Sequence, residues 1–224
     1  CRGLGMDVSR VRVVPGARSS SYLYITDERG DMQLAVNDMA VCNEISPEYL
    51  ERVLPGIQAG ALVLDTNLPV ESLEFICRSS CIPLYADPVS SVKAMKLHGV
   101  MKHLRAIKPN ALEAAALTGQ TDPELAARAL IDEGVQRVFI SLGTNGMIAA
   151  EGSRILRMPS PEANVVNATG AGDAAMSAIV WADLHGLSLE DSARAAQLAG
   201  AITCASEESN APELSRLPGL LAAE

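Results

Sequence analysis

The chain has 224 residues, of which 48% are hydrophobic and only 3% aromatic, and carries a formal net charge of −9. That length holds one substantial aliphatic core. An acidic chain with no dense Lys/Arg cluster argues against a nucleic-acid polymer as partner, and no apolar run approaches the ~18 residues of a membrane span. The five cysteines (Cys1, Cys42, Cys77, Cys81, Cys204) are odd in number and irregularly spaced. No His or second Cys pair completes a zinc pattern, so they read as apolar thiols in a reducing cytosol.

Taken in chain order, the opening at Cys1, without Met, reads like the interior of a domain. Ser20–Asp27 and Met32–Asn37 are β-rich runs around the polar turn Glu28-Arg-Gly-Asp31, a hairpin signal. Ser46-Pro47-Glu48 is an N-cap, a first-turn proline and an acid, opening a helix to about Leu54. Strands are then expected at Ala61–Asp65, Ile82–Asp87, Leu104–Lys108 and Arg137–Leu142, with helices at Val70–Arg78, Asn110–Thr118 and Asp122–Glu133. Met147–Ala150 and Arg154–Met158 read as a hairpin, and Thr169–Ala223 as about three helical pieces. Strands alternating with helices imply βαβ units and a mostly parallel sheet. The early hairpin stands outside that rhythm as a small added β element.

The segment Val165-Val-Asn-Ala-Thr169-Gly170-Ala171-Gly172-Asp173 reads as a short β run entering a turn with two glycines, followed by an Ala-rich helix. Glycines let backbone N–H groups approach an oxyanion, and the helix N-terminus adds unpaired donors and partial positive charge. Asp173 has two readings there. It is either a helix cap, or a general base taking the proton of an attacking hydroxyl while the amides hold a transferring phosphoryl group. The loop is neither a Walker A motif nor GxGxxG.

Thr169-Gly-Ala-Gly-Asp173 resembles the signature of the ribokinase-like (phosphofructokinase-B-type) carbohydrate kinase family. Three further segments match in the expected order over about 100 residues. Lys108-Pro-Asn110-Ala-Leu-Glu113 resembles the family's Asn-x-x-Glu motif. Ser141-Leu-Gly143-Thr-Asn-Gly146 resembles the strand and turn under the nucleotide, and Ala201–Pro212 the loop beside the adenine pocket. Val36-Asn37-Asp38-Met39, Asp87-Pro-Val-Ser90 and Asn167 ahead of the signature are similar to the pseudouridine kinase subgroup.

The resemblance implies a three-layer α/β/α fold with a small β lid, the whole chain being one kinase domain to which residues 11–40 contribute the lid. It implies a cytoplasmic enzyme that phosphorylates a nucleoside or sugar, pseudouridine first, with ATP and Mg²⁺. Asp173 is then the base, and the amides of Ala171, Gly172 and Asp173, with Gly170, form the anion hole. Asn110 and Glu113, one helical turn apart, orient a hydrated Mg²⁺. Lys108, Ser141, Gly143, Gly146 and Thr169 line the nucleotide, and Asn37 and Asp38 the acceptor. Lys108 is equally readable as a strand-end cation.

Many family members place a monovalent cation, K⁺, behind the anion hole, held partly by an Asp where this chain has the neutral Asn167; the site stays open. The family's lid often dimerises. Relatives are usually around 300 residues, and their opening βαβ unit carries part of the sugar site, a portion expected upstream of Cys1. The rival readings are another sugar or nucleoside kinase, and a nucleotide-binding remnant without turnover.

Overall fold

The computed structural model describes residues 1–26 and 32–222, so the expected turn Glu28-Arg-Gly-Asp31 lies outside the described residues. The described elements run β1 (Ser21–Thr26), β2 (Met32–Asp38), α1 (Pro47–Val53), β3 (Leu62–Asp65), α2 (Val70–Ser79), β4 (Leu84–Asp87), α3 (Ser91–Ala94) and β5 (Leu104–Ile107). They continue with α4 (Ala111–Thr118), α5 (Pro123–Asp132), β6 (Arg137–Ser141), β7 (Met147–Glu151), β8 (Arg154–Met158), α6 (Ala171–Leu184), α7 (Leu189–Cys204) and α8 (Leu217–Ala222).

Six strands form one sheet in the order β3-β4-β5-β6-β7-β8. The first four are parallel, β7 runs antiparallel to β6, and β8 antiparallel to β7. Val138, Phe139 and Ile140 of β6 are all fully buried. A strand covered on both faces reads as continuous apolar sequence. Alternate residues feed different cores. Val138, Ile140, Ile148 and Ala150 pack with α1–α5, whereas Phe139, Met147 and Ala149 pack with Ala175, Met176 and Ile179 of α6 and Ala193 and Ala196 of α7. The result is an α/β/α sandwich. Each fully buried Leu, Ile or Phe in it contributes about 1.5–3 kcal/mol of transfer free energy.

Local chemistry explains the helix ends. Ser46 Oγ accepts the Tyr49 amide at the start of α1, and Asp122 caps α5 ahead of Pro123. α4 ends at Gly119 in left-handed geometry.

α6 spans 14 residues, about 21 Å at ~1.5 Å per residue. Its far end is tied to the sheet. Asp183 accepts Arg105 Nε and Nη2 at 2.8 and 2.6 Å and Arg137 Nη1 at 3.1 Å, and the Tyr85 hydroxyl also donates to it. Arg137 reaches Glu151 at 2.7 Å as well. The Arg105 hydrogen bonds hold the Asp183 carboxyl below its ordinary range, while burial raises the Tyr85 hydroxyl. An acid at a helix C-terminus opposes the dipole, and the two guanidiniums offset it.

β1 and β2 form a separate antiparallel hairpin with Tyr22 opposite Asn37, Leu23 opposite Val36 and Ile25 opposite Leu34. Cross-strand partners share a face. Tyr22, Tyr24 and Asn37 therefore lie on one side, and Leu23, Ile25, Leu34 and Val36 on the other.

Two expectations need correction. Val165 and Val166 are not a strand: they are exposed, and the Val166 and Asn167 amides donate to the Cys204 carbonyl at 2.7 and 3.1 Å. The expected loop Ala201–Pro212 begins later, because α7 runs to Cys204 with Thr203 Oγ1 bonded to the Ala199 carbonyl.

Candidate active site

The parallel strands end at one edge, where β3 delivers Asp65, β4 Asp87, β5 leads into Lys108 and β6 ends at Ser141. Ligands of open α/β sheets bind in the crevice outside such carboxyl ends. The N-terminus of α6 meets this edge.

Gly170 caps α6 with φ 88° and no side-chain cap. A Cβ there would lie 2.3 Å from the Ser209 carbonyl oxygen, so only glycine fits both the backbone and the space. The Ala171 amide makes a turn bond to Ala168 at 3.3 Å. The Gly172 and Asp173 amides donate to nothing among the described residues. Two of the three expected anion-hole donors are thus free, and the third is weakly engaged.

Asp173 is the third residue of the helix and does not cap it. Its carboxylate forms no hydrogen bond or ion pair among the described residues and opens to the crevice. Its pKa is raised, chiefly by desolvation and then by Asp87, with Asp65 adding and Lys108 opposing. Surface exposure and desolvation coexist because the group lines a cleft: solvent reaches it, but protein fills much of the space around it. That cleft, about 330 Å³, is lined by Thr169, Gly170, Asp173, Ala174, Ser209 and Asn210 among others. A larger hollow of about 370 Å³, walled by Leu54, Pro55, Ile57, Phe75 and Ile82 with Glu51 and Cys81 at its lining, lies at the opposite end of β4, away from the carboxyl ends of the strands. Size alone does not locate the chemistry.

Lys108 is 5% exposed, and its Nζ is 3.0 Å from Asp87 Oδ2. A Cβ on Gly172 would sit 3.4 Å from that Nζ. The lysine therefore lies against the first turn of α6. Asn110 and Glu113 form a capping box at α4: Asn110 Oδ1 accepts the Glu113 amide, and Glu113 Oε2 the Asn110 amide, both at 2.9 Å. Glu113 is buried, and desolvation raises its pKa.

Ser141 joins this group by donating its amide to Pro109 at 3.0 Å and bridging to Asn110. Gly143 and Gly146 bracket the following turn, and a Cβ on Gly146 would meet the Met158 carbonyl at 1.9 Å. Thr169 is held by its amide to Asn167 Oδ1 at 2.9 Å, and the Asn167 side-chain amide donates to the Glu207 carbonyl at 3.2 Å.

The β1–β2 hairpin reaches the same loop, with the Tyr24 hydroxyl 3.3 Å from Thr169 Oγ1. Asn37 shares that face of the hairpin. Asp38 lies on the other face, where its carboxylate accepts the Ala40 amide at 3.1 Å. Sequence reasoning missed Asp87 and Tyr24 as parts of the site. An acid ending a buried strand just before proline was a legible signal for Asp87; nothing local marked Tyr24.

Free amides at a glycine-started helix, an unpaired carboxylate on its third residue and a buried lysine beneath them define a phosphotransferase with a hydroxyl acceptor. The model of the pfkB family carbohydrate kinases matches residues 1–216, and the chain belongs to that family. It is 34% identical over 219 residues to the pseudouridine kinase of Escherichia coli (strain K12), covering 94% of this chain and 70% of that protein. It is 33% identical over 223 residues to the sugar kinase YeiI of the same strain, covering 96% of this chain and 61% of that one. Among solved structures, a carbohydrate kinase from Agrobacterium tumefaciens superposes with a TM-score of 0.76 at 27% identity, over 93% of this chain and 70% of its own. Among the described residues no helix is long and apolar enough to cross a membrane.

Proposed function

We propose that this chain, acting as one kinase domain with a lid drawn from residues 11–40, transfers the γ-phosphoryl group of ATP to the 5′-hydroxyl of pseudouridine. The observation that carries the reading is Asp173, an unpartnered carboxylate with a raised pKa beside two free helix-start amides. The hydroxyl attacks the γ-phosphorus, its proton passes to Asp173, the new O–P bond forms, and the bond to the β–γ bridging oxygen breaks to release ADP. The amides of Gly172 and Asp173, with Gly170 and more weakly Ala171, face the transferring oxygens. Such donors are worth roughly 10²–10³ each in rate. A base with a raised pKa accepts the proton more readily than an ordinary Asp. Pseudouridine as acceptor is supported by the identity to the E. coli enzyme and by the segments at Asn37, Asp87 and Asn167.

The residues fit Mg²⁺ held through water. Among the described residues no three Asp, Glu, His or Cys side chains group to cage a metal, and Glu113 keeps one oxygen beyond its cap bond. When bound, the ion neutralises charge building on the phosphates. Asn110 and Glu113 would hold its hydration shell, with Lys108, Ser141, Gly143, Gly146 and Thr169 around the nucleotide.

A monovalent cation does not fit at Asn167. Both ends of that amide are used, and the end facing the Glu207 carbonyl is a donor. The side chain itself bridges the two loops, and K⁺ is dispensable.

The outer lid face exposes Leu23 (75%), Ile25 (59%), Leu34 (58%) and Val36 (63%). A second copy of the chain would cover it.

The test is an ATP/Mg²⁺ assay against pseudouridine, uridine, adenosine, ribose and fructose. Turnover confined to pseudouridine is expected. Turnover of ribose alone would reassign the acceptor, and tight ATP binding with no turnover would leave a nucleotide-binding remnant.

A further inference from the structure

Lys108 is an unusual lysine: its ammonium is buried, and among the described residues Asp87 is its one partner. An ammonium carries three donors, and a buried one costs several kcal/mol unless compensated. At least two of its N–H groups are therefore uncommitted. They lie beside Gly172, whose backbone is not in the left-handed region, so glycine is there for room and not for conformation. A methyl group at that position would sit against the ammonium and screen it from the anion hole.

Asp87 is itself held rigidly. One oxygen takes Lys108, and the other accepts the Val89 amide at 3.1 Å. Val89 is the one non-glycine residue at positive φ among those described, at 64°. Its turn is closed by the Ser90 amide on the Pro88 carbonyl at 2.7 Å, and the buried Thr66 hydroxyl donates to that same carbonyl from the β3 side. A β-branched residue is strained in this region, and such strain concentrates where geometry matters to function. The surroundings are otherwise acidic. Asp87 bears on both Glu113 and Asp173, Asp65 bears on Asp173, and Lys108 opposes that charge at both.

We infer that Asp87 is a positioning residue, which the strained Asp87–Ser90 turn locks in place so that it aims the Lys108 ammonium across Gly172 at the terminal phosphoryl group of the nucleotide. This rests on the kinase reading above. A purely structural Asp87 would only neutralise a buried charge. A positioning Asp87 acts through Lys108 and fails if it is moved.

The test compares wild type with Asp87→Glu, Asp87→Asn, Lys108→Met and the Asp87→Asn/Lys108→Met double variant. Asp87→Glu keeps the ion pair and the fold but shifts its carboxylate by a methylene. It is expected to melt like wild type while kcat falls ~10–100-fold, the scale of a misplacement near 1 Å. The double variant is expected to match Lys108→Met within about twofold at a pH where Asp173 is ionised in both, so that the direct charge of Asp87 on Asp173 drops out and only its action through the lysine is read. Calorimetric affinities for ATP and ADP give a readout independent of acceptor turnover. The preference for ATP should shrink in Asp87→Glu and Lys108→Met alike, and no further in the double variant. Wild-type kcat and nucleotide preference in Asp87→Glu, or losses that multiply in the double variant, would overturn the inference. Absence of acceptor turnover in wild type would instead sink the kinase reading and leave the nucleotide measurement to decide this one.

Discussion

Replacing Gly170 by alanine should separate stability from catalysis. The residue sits at φ 88°, ψ −11°, where a Cβ costs about 1–2 kcal/mol. The new methyl would lie 2.3 Å from the Ser209 carbonyl oxygen, so one side must yield by roughly 0.7 Å to reach even 3.0 Å. The side that yields is either the 205–211 loop or the first turn of α6, and the second carries the Gly172 and Asp173 amides. Productive geometry tolerates ~0.5 Å, and about 1 Å of misplacement costs ~10²-fold. The backbone cost alone should lower the melting temperature by about 2–8 °C, at ~2–4 °C per kcal/mol for a chain of this size, and the clash should lower it further. kcat should fall ~10–100-fold. Gly186→Ala is the control: φ is 69° and nothing lies within 4 Å, so it carries the backbone cost without the clash. Thermal denaturation and steady-state kinetics on the pair decide. If Gly170→Ala keeps the kcat of Gly186→Ala, the anion hole proposed at the start of α6 is wrong.

Asp183→Ala leaves Arg105 without its carboxylate and Arg137 with Glu151 alone, and should cost about 3 kcal/mol in urea unfolding. Because the folded-state pKa of Asp183 is depressed, its contribution is complete above the ordinary carboxylate range. It disappears as pH falls through the lowered value, and Asp183→Asn should lack that acid limb. Replacing K⁺ by a bulky organic cation should leave wild-type activity unchanged, whereas Asn167→Asp, which swaps the amide donor for a carboxylate, should become K⁺-dependent. Leu23→Asp with Val36→Asp should convert a dimer to monomers in sedimentation; a wild type already monomeric at high concentration would remove the lid interface. Finally, Asp173 as the proposed base must be ionised to act, and its pKa is raised. kcat/KM should therefore climb with pH through a point above the usual carboxylate range. The same shift makes the ionised form a burden on folding above that point, so Asp173→Asn should melt higher at neutral pH.

Much of this was readable in the residues because the deciding chemistry is local. Asn110 and Gly119 bound α4 by capping, and Pro123 opens α5, so those limits needed no tertiary knowledge. β6 was legible because both its faces are buried. Val165 and Val166 misled because β-branched residues favour strands, yet among the described residues no strand pairs with them and the end of α7 takes the Val166 and Asn167 amides. The end of α7 itself was hidden because Ala201–Cys204 suits a helix as well as a loop. The Asp87–Lys108 pair depends on how β4 and β5 are registered, which no local pattern encodes. The same holds for the lid: strand alternation fixes which side chains share a face, but only the fold shows that the Tyr24 face meets Thr169.

The most direct test is single-turnover phosphoryl transfer from ATP to pseudouridine by wild type and Asp173→Asn, with nucleotide affinity measured in parallel. Wild type should yield ADP and pseudouridine 5′-phosphate in equal amounts. Asp173→Asn should bind ATP normally and transfer at least ~10²-fold more slowly, the contribution of a positioned general base. An Asp173→Asn enzyme that transfers at the wild-type rate would contradict the assignment of the base, and with it the site.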